Sequence, residues 1–173
     1  MAGATPERLM RLLRDVLESW VHPRAVAARR IATAEERRLL GWLMLALLFA
    51  AVAGLAGETR APPEADVPPE ALAAGRLLGG LILAPLFFYA LAGLSWMGLR
   101  LCGVRHAQGR AARAALFWAL LAASPALVLK ALLQGAGIAG GVAAGWLAAG
   151  AFLVFWLVGL LAVLRPAGAI DAT

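Results

Sequence analysis

The stretch RLCGVRHAQGRAAR, residues 100–113, places four arginines and a histidine in the middle of a strongly apolar chain. The 23 residues before it, 77–99, carry no charge, and neither do the 16 residues after it, 114–129. A helix of about 20 apolar residues is long enough to cross a hydrocarbon core about 30 Å thick. The sequence therefore predicts two membrane-spanning helices joined by a short charged hairpin that stays outside the lipid.

Two further apolar stretches flank this pair, and each is also long enough to span a membrane. Hydrophobic residues make up 62% of the chain, against about 45–50% in an ordinary soluble domain. The predicted fold class is therefore all-α, a polytopic transmembrane helical bundle of four spans with an N-terminal amphipathic helix. The predicted spans are residues 39–57, 77–99, 114–133 and 142–164, between a head of residues 1–38 and a tail of residues 165–173.

The head begins with a segment whose apolar residues recur at helical spacing while arginines fill the other side. Such an amphipathic helix either lies on the membrane surface, with its arginines toward anionic headgroups, or packs back on the bundle or on a partner. Closer to the first span, Thr33 and Glu36 have the spacing of a capping box, which predicts that the spanning helix starts at Thr33. The apolar positions of the first helix are Leu9, Leu13, Val16, Leu17 and Trp20.

The distribution of basic residues predicts how the helices are oriented, because Lys and Arg accumulate in cytoplasmic loops. The head, the hairpin and the tail hold thirteen arginines, whereas the opposite side has only Arg60, Arg76 and the nearby Lys130. The head and the tail are therefore predicted to be cytoplasmic, in the inner membrane of a bacterium. The bacterial source is suggested by fifteen arginines against one lysine and by abundant Ala and Gly.

The same distribution argues against two other classes of protein. The net charge is +6, but the basic residues flank apolar runs instead of forming a patch with interleaved aromatic residues, so nucleic-acid binding is not expected. A secretory signal would place a short basic segment directly before its apolar core. Here the first apolar run begins only at residue 39, after a head rich in both signs of charge, so no cleavable signal is expected.

The hairpin arginines are the first candidates for a binding role. An arginine at the centre of a membrane helix costs about 2.5–3.5 kcal/mol on insertion scales, so anchoring the hairpin in water explains their presence by itself. The second interpretation is that they also bind an anionic lipid headgroup or an acidic patch of a partner. These residues are Arg100, Arg105, Arg110 and Arg113.

Three residues inside the spans are candidates for a transport pathway. Lys130 lies about four residues from the outer end of the third span, where it either snorkels to the interface or contacts an ion or solute. Pro85 and Pro125 each remove a backbone hydrogen bond and kink their helices, which either shapes a cavity or serves static packing. Ser124 is expected to satisfy part of the backbone freed at Pro125.

Small residues at every fourth position indicate a helix-packing face on the fourth span. Gly137, Gly141 and Gly145 form this ladder, which lets a second helix approach closely. The partner helix is either in the same chain or in another subunit.

No pattern of residues predicts catalysis, a cofactor or a metal ion. Cys102 and His106 are four residues apart, but two ligands do not make a zinc site. The sequence contains no phosphate-binding loop, nucleophile elbow or zinc-protease motif. We therefore expect a protein that is not an enzyme.

The chain resembles the Yip family, membrane proteins named for their interaction with Ypt/Rab GTPases, in its short bacterial form. The resemblance lies in HPRAVAARRI at 22–31, in GLRLCGVRHAQGRAARAALFWALLAASPALVL at 98–129 and in AFLVFWLVGLLAVL at 151–164. The chain lacks the Asp-Leu-x-Gly-Pro signature of eukaryotic members and has four spans where those have five. The resemblance thus implies an integral membrane protein without catalytic residues, and it does not imply Rab binding.

These observations favour a non-catalytic organising, assembly or accessory component that binds lipids or membrane-protein partners. The alternative is a small-solute transporter or channel that uses the two prolines and Lys130. A transporter requires a polar cavity near the middle of the membrane, and the spans offer little beyond Tyr89, Ser95 and Ser124 for one.

Overall fold

The computed structural model describes residues 6–58, 75, 78–104 and 107–164, and these residues form helices and turns without any strand. The loop between the first two spans, the tail and Arg105 lie outside the described residues. The helices are α1 (Pro6–Glu18), α2 (Pro23–Ala32), α3 (Glu36–Glu58), α4 (Ala84–Leu101, preceded by a π-helical segment, Gly79–Leu83), α5 (Gly109–Ala136) and α6 (Gly141–Leu164).

Helices α3 to α6 are long and apolar enough to cross a membrane, which confirms the all-α fold with four candidate spans. Helices α3, α4 and α5 extend beyond the predicted apolar runs into charged residues that border them. Helix α5, for example, begins at Gly109 and so includes Arg110 and Arg113. A charge keeps a residue out of the hydrocarbon but does not stop a helix, because arginine has a high helix propensity.

The side-chain pairs between helices show the direction in which each helix runs. Arg113 contacts Glu36 and Trp118 contacts Trp42, so α3 and α5 are parallel. In contrast, α4 and α6 run antiparallel to α5, as the contacts of Phe117 with Tyr89 and of Ala115 with Gly159 indicate, together with those nearer the helix ends. One end of the bundle therefore collects the residues that we call the arginine-rich end: Arg37, Arg38, Arg100, Arg110 and Arg113.

Helix α5 is the centre of the bundle, because it contacts all five other helices. Its buried side chains extend from Ala112 to Ala131 and are mostly alanines, which allow the neighbouring helices to approach closely. The larger core residues of α5, Phe117 and Trp118, pack edge-on against Tyr89 of α4 and Trp42 of α3, with ring centroids 5.1 and 5.3 Å apart. Edge-to-face pairs at this spacing stabilise a core beyond the area that they bury.

The two intramembrane prolines are accommodated in different ways. Pro85 follows the π-helical segment, in which the Ala84 amide donates to the Gly79 carbonyl five residues earlier. This wider turn makes room for a proline ring that would clash with the carbonyl four residues before it in a regular α-helix. Pro125 lies within the uninterrupted helix α5, and the indole Nε1 of Trp20 donates to the nearby Ala122 carbonyl at 2.9 Å.

The head folds back on the bundle as a pair of helices. Helix α2 packs against α6 and α5, and the turn after α1 brings Trp20 edge-on to Phe155, with centroids 5.4 Å apart. Ala122, the hydrogen-bond partner of Trp20, is nine residues beyond Arg113, or about 13 Å along α5 at 1.5 Å per residue. The turn of the head therefore lies beside the apolar length of α5 and not above the bundle.

The capping prediction for the first span needs correction. The Thr33 hydroxyl donates to the Arg29 carbonyl at 2.9 Å, so Thr33 ends α2 instead of starting α3. Helix α3 begins at Glu36, whose carboxylate accepts a hydrogen bond from Arg113 at 2.7 Å. The reason is tertiary, because the arginine of a neighbouring helix competes for the carboxylate that a capping box would use.

Candidate functional site

Helix α1 presents three different faces about 120° apart, as expected when residues step by about 100° around a helix. Leu12, Val16 and Ser19 face the bundle and are buried or half-buried. The second face is apolar and exposed, and includes Leu17, which is 64% exposed, and Met10, which is 70% exposed. The third face is charged and comprises Arg11, Arg14, Asp15 and Glu18. On the charged face, Asp15 and Glu18 are turned toward α2, whereas Arg11 and Arg14 are exposed.

A cleft of about 970 Å³ separates this charged face from α2 and from the start of α3. Five arginines and two acids line it, together with apolar residues of α1 and α3. We call it the head cleft. It is lined by Arg11, Leu12, Arg14, Asp15, Glu18, Arg29, Arg30, Thr33, Arg38, Gly41, Trp42 and Leu45.

The inner part of the head cleft is neutralised by its own ion pairs. Arg29 donates to Asp15 Oδ1 at 2.9 Å and to Glu18 Oε2 at 3.1 Å, and Arg30 pairs with the second oxygen of Asp15. The hydrogen bond to Glu18 raises the pKa of Arg29 further above its ordinary value, with a smaller contribution from the charge of Asp15. Two acids thus balance two arginines, and this layer ties α1 to α2.

Arg30 is the most enclosed of these charges, with its side chain 17% exposed. Its guanidinium carbon is 5.0 Å from the centroid of the Trp118 ring and 6.0 Å from that of Trp42. Arginine stacks favourably on aromatic faces, so these rings replace part of the water that the cation has lost. Its Nε atom is buried without a hydrogen-bond partner among the described residues, which leaves Asp15 as the main compensation for its charge.

The mouth of the head cleft has a different charge balance. Among the described residues, Arg11 pairs with the exposed Glu7 of its own helix at 3.6 Å, and Arg38 pairs with the exposed Glu35, directly before α3, at 3.3 Å. Arg14 is exposed and has no ion pair with another described residue. Exposed pairs of this kind contribute about 0–1 kcal/mol and exchange readily with water or other ions. The mouth therefore presents three positive charges that the protein itself compensates only weakly.

The hairpin arginines do not form one site. Arg113 is held by Glu36, Arg100 lies 5.3 Å from the Trp96 ring centroid, and Arg110 is exposed at the start of α5. Trp96 in turn donates from Nε1 to the Ala107 carbonyl at 3.0 Å and so closes the hairpin. Arg105 and His106 lie outside the described residues, and Cys102 is exposed.

Two of the three ladder glycines face α5 of the same chain. A Cβ at Gly141 would come within 2.6 Å of Gln134 Cγ, and one at Gly145 would meet the aliphatic stem of Lys130 at 3.7 Å. The Lys130 side chain therefore lies along α6 at Gly145, where the absence of a side chain leaves space for it. Gly137 is not part of α6, because it adopts a left-handed conformation, φ 70°, and ends α5. A glycine is favoured there since it has no Cβ to strain.

The backbone of α5 comes close to α6 at a glycine that the sequence pattern did not single out. A Cβ on Gly159 would be 2.9 Å from Ala115 Cβ, closer than side chains pack. Gly159 lies fourteen residues from Gly145, so the small positions of α6 at 141, 145 and 159 share one face only approximately, and alanines interrupt the pattern. A search for small residues opposite the alanine-rich start of α5 could have found it.

The sequence did not lead us to predict the head cleft as a binding site, and none of its lining residues was a candidate site residue. The arginines of the head were counted only to predict the orientation of the helices in the membrane. That count gives every arginine the same weight, wherever its side chain points. The available signal was the combination of Asp15 and Glu18 with Arg29 and Arg30 in a short helix pair. Such acids contribute nothing to orientation, so they indicate a tertiary role.

Comparisons with protein-family models, with curated proteins and with solved structures give no match to this chain.

Proposed function

We propose that this protein is a non-catalytic membrane component that organises or assists other membrane constituents by binding anionic lipids or membrane-protein partners at its arginine-rich end. The observation that supports this most directly is the collection of five arginines from three helices at one end of the bundle. The exposed apolar face of α1 next to them supports contact with lipid. The resemblance of residues 22–31, 98–129 and 151–164 to the Yip family favours the same kind of role.

We place the arginine-rich end on the cytoplasmic side of a bacterial inner membrane, because basic residues are retained there. A reporter enzyme that is active only in the cytoplasm should be active when fused after residue 38 or after Thr173. The same reporter should be inactive when inserted between residues 62 and 68. Activity at all three positions, or only at the middle one, would contradict this orientation.

Binding of anionic lipid predicts that the protein is stabilised selectively by such lipids. The purified full chain should unfold at a higher temperature in detergent when phosphatidylglycerol is added than when phosphatidylcholine with the same acyl chains is added. A ligand present at 100 times its dissociation constant stabilises a fold by about 2.7 kcal/mol. Differential scanning fluorimetry in parallel titrations measures the difference, and equal stabilisation by the two lipids would refute lipid selectivity.

The alternative function, a small-solute transporter or channel, receives less support from the contacts of the polar residues. The Ser95 hydroxyl donates to the Leu91 carbonyl of its own helix at 2.7 Å, and the Lys130 stem packs on α6. The head cleft lies at one end of the bundle, and a second cleft between α3 and α5, near Val52 and Leu132, is lined by apolar residues. Nothing in these contacts favours a solute path over static packing.

A further inference from the structure

We propose that the head cleft binds the phosphate group of an anionic phospholipid, with Arg11, Arg14 and Arg38 around the phosphate and an acyl chain along α3. This inference rests on the proposed function and assigns its lipid to one site.

The charges favour an anion at the mouth of the cleft and not in its interior. The interior arginines already face Asp15 and Glu18, whereas the mouth has three arginines and no acid in its lining. Guanidinium groups that share one opening repel each other, and a bound anion relieves that repulsion. Phosphate is the matching anion, because its oxygens accept the paired N–H donors of a guanidinium in a bidentate geometry.

The apolar lining favours a lipid over a soluble phosphate ester. Below Arg38, the same face of α3 continues with Gly41, Leu45, Leu48 and Val52, which are three or four residues apart. Leu48 and Val52 are 58% and 57% exposed, so this face is open to the bilayer. At 1.5 Å per residue, Leu48 lies about 15 Å below Arg38, close to half of a hydrocarbon core about 30 Å thick.

Gly41 provides the passage between the charged mouth and this apolar face. It lines the cleft, and an added Cβ there would meet no atom within 4 Å. A side chain at this position would occupy space that a lipid glycerol group and the first methylenes could fill. The order along α3 is therefore arginine, open space and apolar surface, which is also the order of groups in a phospholipid.

The test is lipid binding to the purified full chain, measured by native mass spectrometry with phosphatidylglycerol, phosphatidylcholine and glycerol 3-phosphate as probes. The variant Arg14→Gln with Arg38→Gln should bind phosphatidylglycerol at least about tenfold more weakly than the wild type, since each guanidinium makes charge-assisted hydrogen bonds. The matched control compares single variants: Arg14→Gln alone should already weaken phosphatidylglycerol binding. Arg24→Gln removes the same charge from an exposed arginine that is outside both the lining and the arginine-rich end, and it should bind almost as the wild type does.

A second pair of variants tests the apolar part of the site with every charge retained. Gly41→Leu fills the passage and should also weaken phosphatidylglycerol binding, whereas Gly54→Leu should not. Gly54 is on the same helix, has equally open space around it and does not line the cleft. At both positions the Cβ of the new leucine would have no neighbouring atom within 4 Å, so both variants should fold.

The outcomes separate this site from the general function. If Arg14→Gln and Arg24→Gln weaken phosphatidylglycerol binding equally, the cleft is not the site, although the selectivity of the wild type for anionic lipid would stand. If the wild type binds phosphatidylglycerol and phosphatidylcholine alike, the proposed function fails as well. If glycerol 3-phosphate competes as well as the lipid does, the cleft binds a soluble phosphate ester and the assignment to lipid is overturned.

Discussion

Gly159→Leu is expected to separate α5 from α6 and to lower the stability of the bundle more than the same substitution at any other glycine of α6. A Cβ alone at this position would be 2.9 Å from Ala115 Cβ and 3.2 Å from its Cα, so the leucine meets backbone that cannot rotate away. Overpacking of a well-packed core costs about 1–3 kcal/mol, and a clash with backbone belongs at the upper end of this range. Thermal unfolding in detergent, followed by circular dichroism at 222 nm, measures the loss.

The matched control is Gly150→Leu in the same helix, where an added Cβ meets no atom within 4 Å. Both substitutions add the same side chain and the same helix propensity, so the difference between them isolates the contact with α5. Gly159→Ala should fall between the two, because Ala115 must still shift by a few tenths of an ångström. If Gly159→Leu unfolds at the same temperature as Gly150→Leu, α5 and α6 do not approach each other as described.

Asp15→Asn is expected to release the head from the bundle. Asp15 is the carboxylate shared by Arg29 and Arg30, and its side chain is 15% exposed. Removing one partner of a buried ion pair costs about 3–5 kcal/mol, since it leaves the other charge uncompensated. We expect about 2–3 kcal/mol here, because both side chains retain some contact with solvent. The uncompensated charge would be that of Arg30, which lies beside two indole rings.

The release can be followed by the labelling of a cysteine at Ser19, which is 1% exposed in the docked head. Ser19→Cys in a Cys102→Ala background should react slowly with a maleimide, since Cys102 is the single native cysteine and is itself exposed. Adding Asp15→Asn should accelerate the labelling by about 30- to 150-fold, as expected for a local opening made easier by 2–3 kcal/mol.

Two further variants separate the ion pair from a general effect of charge. Glu18→Gln makes the same chemical change at a carboxylate that pairs only with the half-exposed Arg29, so it should accelerate labelling only a few-fold. Asp15→Leu combined with Arg30→Met replaces both charges with apolar groups and should restore slow labelling, because no charge is then left without a partner. Fast labelling of this double variant would show that other contacts of Asp15 hold the head.

The four spans could be predicted from the sequence with little error. Each was an uncharged stretch of sufficient length, and the free energy of moving a segment into lipid depends mainly on its own composition. The boundaries were less accurate, as at Gly109, because charged residues leave the hydrocarbon without ending the helix. The capping prediction at Thr33 failed for a related reason, since Glu36 also faces Arg113, which is far away in the sequence.

The packing face of α6 was predicted less completely. The ladder of small residues included Gly141 and Gly145, which face α5, but it also included Gly137, which ends the preceding helix. It missed Gly159, where an added Cβ would be 3.2 Å from the backbone of α5 at Ala115. In a chain rich in Ala and Gly, many small residues share a helical spacing by chance. The spacing alone therefore cannot distinguish a glycine packed against a neighbouring helix from a glycine without such a contact.

The sequence by itself determined that lipid is the solvent for four segments and that their charged ends alternate between few and many arginines. Both properties depend only on the composition of consecutive residues, so they can be predicted without the tertiary contacts of the segments. Only the tertiary structure decided that α1 turns Asp15 and Glu18 toward α2, that Asp15 holds Arg30 beside two tryptophans and that Arg14 and Arg38 share one cleft. Coulombic and packing interactions depend on distances between residues remote in the chain, and folding alone sets those distances.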